Sequence, residues 1–352
     1  MMFGKSFEGW GAWHCWAIAM VVVQMVSRSA LAEEPPVIRT GIVGCDTSHV
    51  IAFTKALNAE DAGDTYLGVR VTHAFPGGSP DIPDSRDRVG KFTDELKGLG
   101  VVVVDSIESL APHCDAYLLE SVDGRVHLEQ FRKIAHGKPV FIDKPAAGSL
   151  AELLQIFEIA ERTDTPVFTC SSLRFCEQVQ SLVSDPAIGE LTSATASSPY
   201  KIEPHHPDLF WYGIHGMEAL HTLMGQGCQR VSRVETETMG VVVGEWSDGR
   251  IGIFRGYKSG PSYSDAYTFE VVGAKGVGHT HGFGGYEPFL LEVAKFFRSG
   301  EPPVSPEESL ELFAAMEAAD VSKAREGRAV ELEEVMQQAR HQVAKLETTE
   351  DE

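Results

Sequence analysis

Residues 41–50 read GIVGCDTSHV. Apolar residues that begin at Val37 run through Val43 into Gly44, and a helix-like stretch follows at once. This order predicts a β-strand, a tight turn and an α-helix. The turn is unusual, because Asp46 and His49 stand at positions where a glycine-rich turn of this kind has small residues.

The same alternation continues outward from this turn. Apolar strand-like runs alternate with helix-like runs as far as residue 147, for example VVVVD at 101–105 and PVFID at 139–143. Nearly continuous Val, Ile and Leu runs are typical of strands that are buried on both faces. Residues 37–147 therefore predict a Rossmann-like domain, a doubly wound parallel sheet with helices on both sides.

The pattern changes after Gly148. One long helix candidate is followed by strands with few helices between them, such as the strand-like run RVSRVETETMGVVVGEW at 230–246, and the Asp248-Gly249 pair predicts a hairpin. Residues 148–335 therefore predict an α+β domain with a mostly antiparallel open sheet, so that the whole chain belongs to the α/β class. Residues 336–352 predict the end of a C-terminal helix and an acidic tail.

The charge balance excludes some partners. The chain has 352 residues and a formal net charge of -21, with 51 acidic and 30 basic residues. Nucleic acids and anionic membrane surfaces are bound by clusters of Lys and Arg, so neither is expected as a partner. Any phosphate group would have to be held by backbone amides and a helix N-terminus.

The first 32 residues predict a removable signal peptide. Lys5 precedes the apolar run WAIAMVVVQMV, and Ala30 and Ala32 occupy the small-residue positions of a cleavage site. The protein is therefore expected to be exported, periplasmic or secreted, with no stable membrane insertion once the signal is removed. The alternatives are an uncleaved N-terminal membrane anchor and a misassigned start codon, and the latter would leave the protein cytoplasmic.

No metal site is predicted from the cysteines and histidines. The five cysteines that follow the signal are scattered without CxxC spacing, so buried free thiols are the expectation. Histidines are frequent between residues 205 and 221 and at 279–281, but no HxxxH or HExxH pair lies on one helix turn.

Residues 114–145, CDAYLLESVDGRVHLEQFRKIAHGKPVFIDKP, resemble the Gfo/Idh/MocA oxidoreductases, the family of glucose-fructose oxidoreductase and inositol dehydrogenase. The shared features are a strand, a small-residue turn, a His two residues before a Glu, a helix that ends in Gly-Lys, and a strand that closes in an acidic residue, Lys and Pro. Further matches follow in order along nearly the whole mature chain: SSLRF at 171–175, IGEL at 188–191, GIHGMEALHTLMG at 213–225 and FFRSGEPPVSPEESLELFAAMEAADVSKAREGRAVEL at 296–332.

The resemblance implies a nicotinamide-dependent oxidoreductase that transfers a hydride to or from a sugar, a polyol or a sugar derivative. Such a reaction needs a base for the alcohol proton and a cation for the developing oxyanion. The resemblance assigns the cation to Lys144 and the acid/base role to His215. One departure concerns the Asp that family dehydrogenases have four residues before this His, because Trp211 stands there.

The cofactor is expected to be NAD or NADP, and the sequence leaves that choice open. Two unit charges about 4 Å apart repel by about 4 kcal/mol at an effective dielectric constant near 20, so either Asp46 points away from the diphosphate or the cofactor binds differently. Hydroxyl groups of Thr47 and Ser48 can donate to phosphate in place of glycine amides. The predicted cofactor-binding residues are Gly44, Asp46, Thr47, Ser48, His49, Ser121 and Lys144.

The predicted substrate residues lie in the second domain. They are Arg174, Trp211, Tyr212 and Glu218, since aromatic faces suit sugar C–H surfaces and polar groups suit hydroxyls. The expected partner is thus a small-molecule sugar or polyol. The resemblance also implies a homo-oligomer, a dimer or a tetramer.

Two other functions remain open at this point. One is a redox-silent carbohydrate-binding or assembly protein on the same fold, which the unusual Asp46 and Trp211 favour. The other is an NAD-assisted glycoside hydrolase or lyase, in which the cofactor takes part in internal redox during bond cleavage.

Overall fold

The computed structural model describes residues 36–60, 62–260 and 266–350. The predicted signal peptide, residues 1–32, lies outside these ranges. Within them, no helix combines the length and the apolar character that a membrane crossing requires.

The N-terminal part contains a six-stranded sheet in which every neighbouring pair of strands is parallel. The strand order β3-β2-β1-β4-β5-β6 is that of a doubly wound Rossmann-like sheet, as the sequence predicted. Its strands are β1 (Ile38–Val43), β2 (Val69–Phe75), β3 (Val102–Val103), β4 (Ala116–Leu119), β5 (Val140–Ile142) and β6 (Val167–Thr169).

The second sheet has seven strands in the order β12-β11-β7-β10-β9-β8-β13. All pairs are antiparallel except β7 with β10, so the predicted mostly antiparallel sheet is confirmed. Its strands are β7 (Leu191–Pro199), β8 (Cys228–Glu235), β9 (Met239–Trp246), β10 (Ile251–Tyr257), β11 (Thr268–Gly273), β12 (Val277–His281) and β13 (Val330–Glu331).

Eleven α-helices lie within the described residues. They are α1 (His49–Leu57), α2 (Ala62–Thr65), α3 (Pro83–Arg86), α4 (Val89–Gly98), α5 (His127–Ile134), α6 (Leu150–Arg162), α7 (Glu177–Val183), α8 (Ile214–Met224), α9 (Glu287–Ser299), α10 (Pro306–Ala324) and α11 (Leu332–Glu350). Several begin at the caps that the sequence encodes, such as the Ser149 side chain, which accepts a hydrogen bond from the Glu152 amide before α6.

Both faces of the parallel sheet are covered, which explains its continuous apolar runs. Ile42 and Val43 are consecutive and fully buried, and they point to opposite faces of the sheet. Ile42 packs in one core with Phe53 of α1 and Phe289 of α9. Val43 packs in the other core with residues of α5 and α6, including Phe131.

Three details differ from the sequence-based expectations. The VVVVD run forms only the two-residue β3, at the edge of the sheet, where a strand has a single neighbour. Residues 230–246, expected as one strand-like run, form the separate strands β8 and β9. The parallel sheet also gains β6 beyond residue 148, while the division into domains at that residue stays a prediction.

The turn after β1 is held by a close approach of two backbones. Gly44 has φ +91°, and a Cβ added to it would lie 2.5 Å from the Ser121 amide nitrogen in the loop after β4. A Cβ on Gly77, in the loop after β2, would lie 3.2 Å from the Gly44 Cα. The loops after β1, β2 and β4 therefore meet at Gly44.

We expect Gly44→Ala to lower the free energy of unfolding by roughly 2–4 kcal/mol, because a left-handed alanine is strained and its Cβ also meets backbone atoms. Gly249→Ala is the matched control, since Gly249 has φ +88° with no atom within 4 Å of an added Cβ. Its loss should be only about 1 kcal/mol. Urea unfolding of both variants measures the difference, and equal losses would contradict the close approach.

Candidate active site

The candidate site lies at the carboxyl edge of the parallel sheet, between β1 and β4. The strand order reverses there, and open α/β sheets bind their ligands at this point. Glu120 follows β4 directly, and Asp143 and Lys144 follow β5. His215 enters from the other side as the second residue of α8.

His49 is tied to the end of β5 instead of facing open space. Its Nδ1 lies 2.8 Å from Oδ2 of Asp143, and both residues are buried. The imidazole also stacks on Phe53 with 4.9 Å between ring centroids. Burial disfavours the Asp143 carboxylate, but the charges of His49 and Lys144 outweigh it and lower the pKa of Asp143 to about 2. His49, which stands where a glycine-rich turn has a small residue, thus joins α1 to the residue that follows β5.

Glu120 is a functional candidate that the sequence reasoning missed. It is fully buried, and among the described residues neither carboxyl oxygen has a hydrogen-bond partner. Burial raises its pKa well above the ordinary value, the charge of Asp143 adds to the effect, and Lys144 opposes it. An acidic residue directly after the wholly apolar strand AYLL is the signal that identifies it.

Lys144 and His215 are both buried, and the charge of the lysine affects the pKa of the histidine. Lys144 is 6% exposed and His215 is 4% exposed. Burial lowers the pKa of His215 well below its ordinary value, and the positive charges of Lys144 and His49 lower it further. The imidazole is therefore neutral at physiological pH and able to accept a proton.

The partner of His215 is a hydroxyl, not a carboxylate. Its Nδ1 lies 2.7 Å from Oγ of Ser171, which follows β6, so Nε2 is the nitrogen suited to proton exchange. The Ser171 amide in turn donates to Glu218 at 2.6 Å. The carboxylates of Asp208 and Glu203 bind other partners. The sequence reasoning missed Ser171 as the partner of His215, and its place shortly after a parallel strand is the signal that could have found it.

The predicted substrate residues divide into two pairs. Arg174 and Glu218 form a buried ion pair of 3.0 Å, so they brace the Ser171 loop. Trp211 is buried against Ile82, while Tyr212 is half-buried and meets the His215 ring edge-on at 5.2 Å between centroids. Contact of these four residues with a substrate stays a prediction.

Asp46 points into the protein, toward the turn after β4. Its Oδ1 accepts a hydrogen bond from the Val122 amide at 2.9 Å, and its Oδ2 accepts one from the Ser85 hydroxyl at 2.6 Å. The side chain is fully buried, and burial raises its pKa. Ser79 completes the arrangement, because its hydroxyl donates to Asp123 at 2.6 Å. Residues 79–85 are therefore joined to the turns after β1 and β4.

The remaining predicted cofactor residues differ in exposure. Thr47 is buried, and its hydroxyl accepts from the His49 amide at 3.4 Å. Ser48 is exposed and makes no side-chain cap on α1. The Ser121 hydroxyl donates to Gln130 at 2.9 Å. Gly44, Ser121 and Lys144 each follow a strand of the parallel sheet at its carboxyl edge, and their contact with a cofactor stays a prediction.

The protein shares its fold with solved dehydrogenases. A scan against protein-family models and a search of curated sequences found no match. A probable dehydrogenase from Thermotoga maritima is 22% identical, with a TM-score of 0.68 over 85% of this chain and 100% of that chain. The apo scyllo-inositol dehydrogenase from Lactobacillus casei is 16% identical, with a TM-score of 0.67 over 85% and 99% of the two chains.

A third solved structure with this fold carries ligands. The WlbA dehydrogenase from Bordetella pertussis, in complex with NADH and UDP-GlcNAcA, is 17% identical, with a TM-score of 0.65 over 84% of this chain and 98% of that chain. The parallel six-stranded sheet followed by the mostly antiparallel sheet is the Gfo/Idh/MocA fold.

His206 lies beside this site with its imidazole completely buried. Its Nε2 is 3.7 Å from Oδ1 of Asp123, and among the described residues neither ring nitrogen has a hydrogen-bond partner. Burial lowers the pKa of His206 to about 4, and Arg125 and His127 also disfavour its protonated form. The ring is therefore neutral in the folded protein at pH 7.

This burial predicts loss of stability in acid. The unfolded chain takes up the His206 proton below about pH 6.5, whereas the folded protein takes it up only near pH 4, so the free energy of unfolding falls between these values. The contribution reaches about 2 kcal/mol at pH 5. Urea unfolding should show that His206→Asn reduces the loss by this amount. His341→Asn, which removes an exposed imidazole of α11, should keep the pH dependence of the wild type.

Proposed function

We propose that this protein is a nicotinamide-dependent oxidoreductase of the Gfo/Idh/MocA family that acts on a sugar, a polyol or a sugar derivative. The observation that carries the proposal is the burial of Lys144 at the carboxyl edge of the parallel sheet, together with a buried, neutral His215 whose pKa the charge of Lys144 lowers. The solved dehydrogenases that share the fold support it, as does the complex of one of them with NADH and a nucleotide sugar.

The residues at the nicotinamide end of the crevice fit the cofactor. An ammonium that follows β5 and an imidazole from the start of α8 suit a bound alcohol next to a nicotinamide ring. At the diphosphate end, the Asp46 carboxylate is turned toward Val122 and Ser85, so it is withdrawn from the α1 N-terminus. That N-terminus has no side-chain cap from Ser48, and such amides bind phosphate. NAD or NADP is therefore the proposed cofactor.

In the proposed reaction, His215 transfers the proton and Lys144 stabilises the negative charge. His215 Nε2 accepts the proton of the substrate hydroxyl, while Ser171 holds the ring by Nδ1. The Lys144 ammonium stabilises the negative charge that develops on the same oxygen. The hydride is exchanged with the nicotinamide, which is the chemistry that the cofactor supplies. In the reverse direction, the imidazolium returns the proton.

One observation favours a second candidate function, a redox-silent carbohydrate-binding or assembly protein. The Ser85–Asp46 and Ser79–Asp123 hydrogen bonds hold residues 79–85 against the turn where a dinucleotide would lie. The backbone of Gly77 also packs on Gly44. A carbohydrate-binding protein needs no cofactor at this turn, so residues 79–85 can pack against the turn without loss of its function.

We also propose that the protein is exported and forms a dimer or a tetramer. Export rests on the signal-like residues 1–32. Assembly rests on the second sheet, which carries exposed apolar side chains on three of its strands, Val234, Ile251 and Val277. Members of the Gfo/Idh/MocA family commonly pair through the open face of this sheet. The resemblance implies the same mode of assembly for this chain.

Lys144→Met should reduce kcat/KM at least 100-fold, because the variant keeps the aliphatic stem and loses the charge that stabilises the oxyanion. Activity is measured with NAD and NADP on a panel of inositols, aldoses and uronic acids, from the absorbance of the reduced nicotinamide. Lys55→Met is the control, since Lys55 is an exposed surface lysine paired with Glu95 at 2.8 Å. Undiminished turnover in Lys144→Met would exclude the proposed site.

The two candidate functions differ in cofactor binding. We expect NADH or NADPH to bind saturably, with a change in nicotinamide fluorescence that excess NAD or NADP reverses. Failure of both nucleotides to bind the intact protein, together with retained binding of a sugar from the panel, would support the redox-silent function.

A further inference from the structure

We propose that His49, Glu120 and Asp143 form a binding site for one divalent transition-metal ion. Each residue offers one ligand atom, and these atoms all lie within 4.8 Å of one another. The three residues come from the start of α1 and the ends of β4 and β5, so the sheet itself brings them together. This proposal does not depend on the proposed redox function.

The distances require little movement. Ligand atoms bound to one ion at about 2.0–2.2 Å are separated from each other by roughly 3–4 Å. His49 Nδ1 and Asp143 Oδ2 are already 2.8 Å apart. The third ligand therefore has to approach by about 2 Å or less, which a side-chain rotation of Glu120 supplies.

Glu120 is the observation that points to a ligand. Its side chain is fully buried, and both oxygens lack a hydrogen-bond partner among the described residues. A buried carboxyl group without partners is costly, and a structure retains it when a proton or an ion compensates for the lost hydration. A dication between Glu120 and Asp143 would satisfy both carboxylates at once.

The donor set indicates the class of metal. One imidazole and two carboxylates suit Mn²⁺, Fe²⁺, Co²⁺ or Zn²⁺ better than Ca²⁺, which takes oxygen ligands only. Three protein ligands also leave coordination positions open for water or for an oxygen of a bound molecule. The sequence reasoning predicted no metal because it searched for close spacing, whereas these ligands are 71 and 23 residues apart along the chain, from His49 to Glu120 and from Glu120 to Asp143.

The test is a Co²⁺ titration of chelator-treated full-length protein, followed by visible absorption and by metal analysis after gel filtration. We expect about one ion per chain and the absorption of a cobalt–imidazole complex. Glu120→Gln should weaken binding by more than about 100-fold, since loss of an outer partner alone costs 10–100-fold. Glu317→Gln is the matched control, because it alters a half-buried carboxylate outside the cluster and should bind as the wild type does.

Several outcomes separate the alternatives. A wild-type protein that binds no Co²⁺, Mn²⁺ or Zn²⁺ overturns the proposal, and so does a folded Glu120→Gln variant that binds within threefold of the wild type. If that variant does not fold, Asp143→Asn provides the same comparison. Lys144→Met distinguishes the two proposals, because it should abolish turnover while it binds Co²⁺ at least as tightly, since a nearby positive charge has been removed.

Discussion

The buried contact between His49 and Asp143 is the interaction on which the site depends. It joins the first residue of α1 to the residue that precedes Lys144, so it links the helix to the end of β5 beside the lysine. Removing one partner of a buried hydrogen bond leaves the other unsatisfied and costs about 1–3 kcal/mol. The backbone next to Lys144 is thus held by a side-chain contact with α1.

Side-chain hydrogen bonds hold two further parts of the site. Asp46 accepts hydrogen bonds from the Ser85 hydroxyl and the Val122 amide, so it joins the turn after β1 to two neighbouring segments. The Ser171 hydroxyl is hydrogen-bonded to the His215 ring, and the Ser171 amide donates to Glu218. These contacts connect the turn after β1, the loop after β6 and the start of α8 to their neighbours.

Much of the fold could be predicted from the sequence because burial on both faces leaves a local mark. The apolar runs around Ile42 and Val140 identified a parallel sheet, and the place of Lys144 after one of them identified the edge where a ligand binds. The contacts of the site left no such mark. Asp46 meets Val122 from 76 residues away, and Ser171 meets His215 from 44 residues away. Which loops face each other depends on tertiary packing, and periodicity carries no information about it.

The contact between Gly44 and Ser121 has a mechanical consequence. Since backbone meets backbone there, the loops after β1 and β4 cannot slide past each other and behave as one rigid rim. Any widening of the site has to come from the opposite side, where Trp211 and Tyr212 lie within a short π-helical turn, Leu209–Gly213, directly before α8. Stiffness is thereby assigned to the rim that holds Gly44 and Ser121, and the freedom to adjust to the side that carries the proposed acid/base, His215.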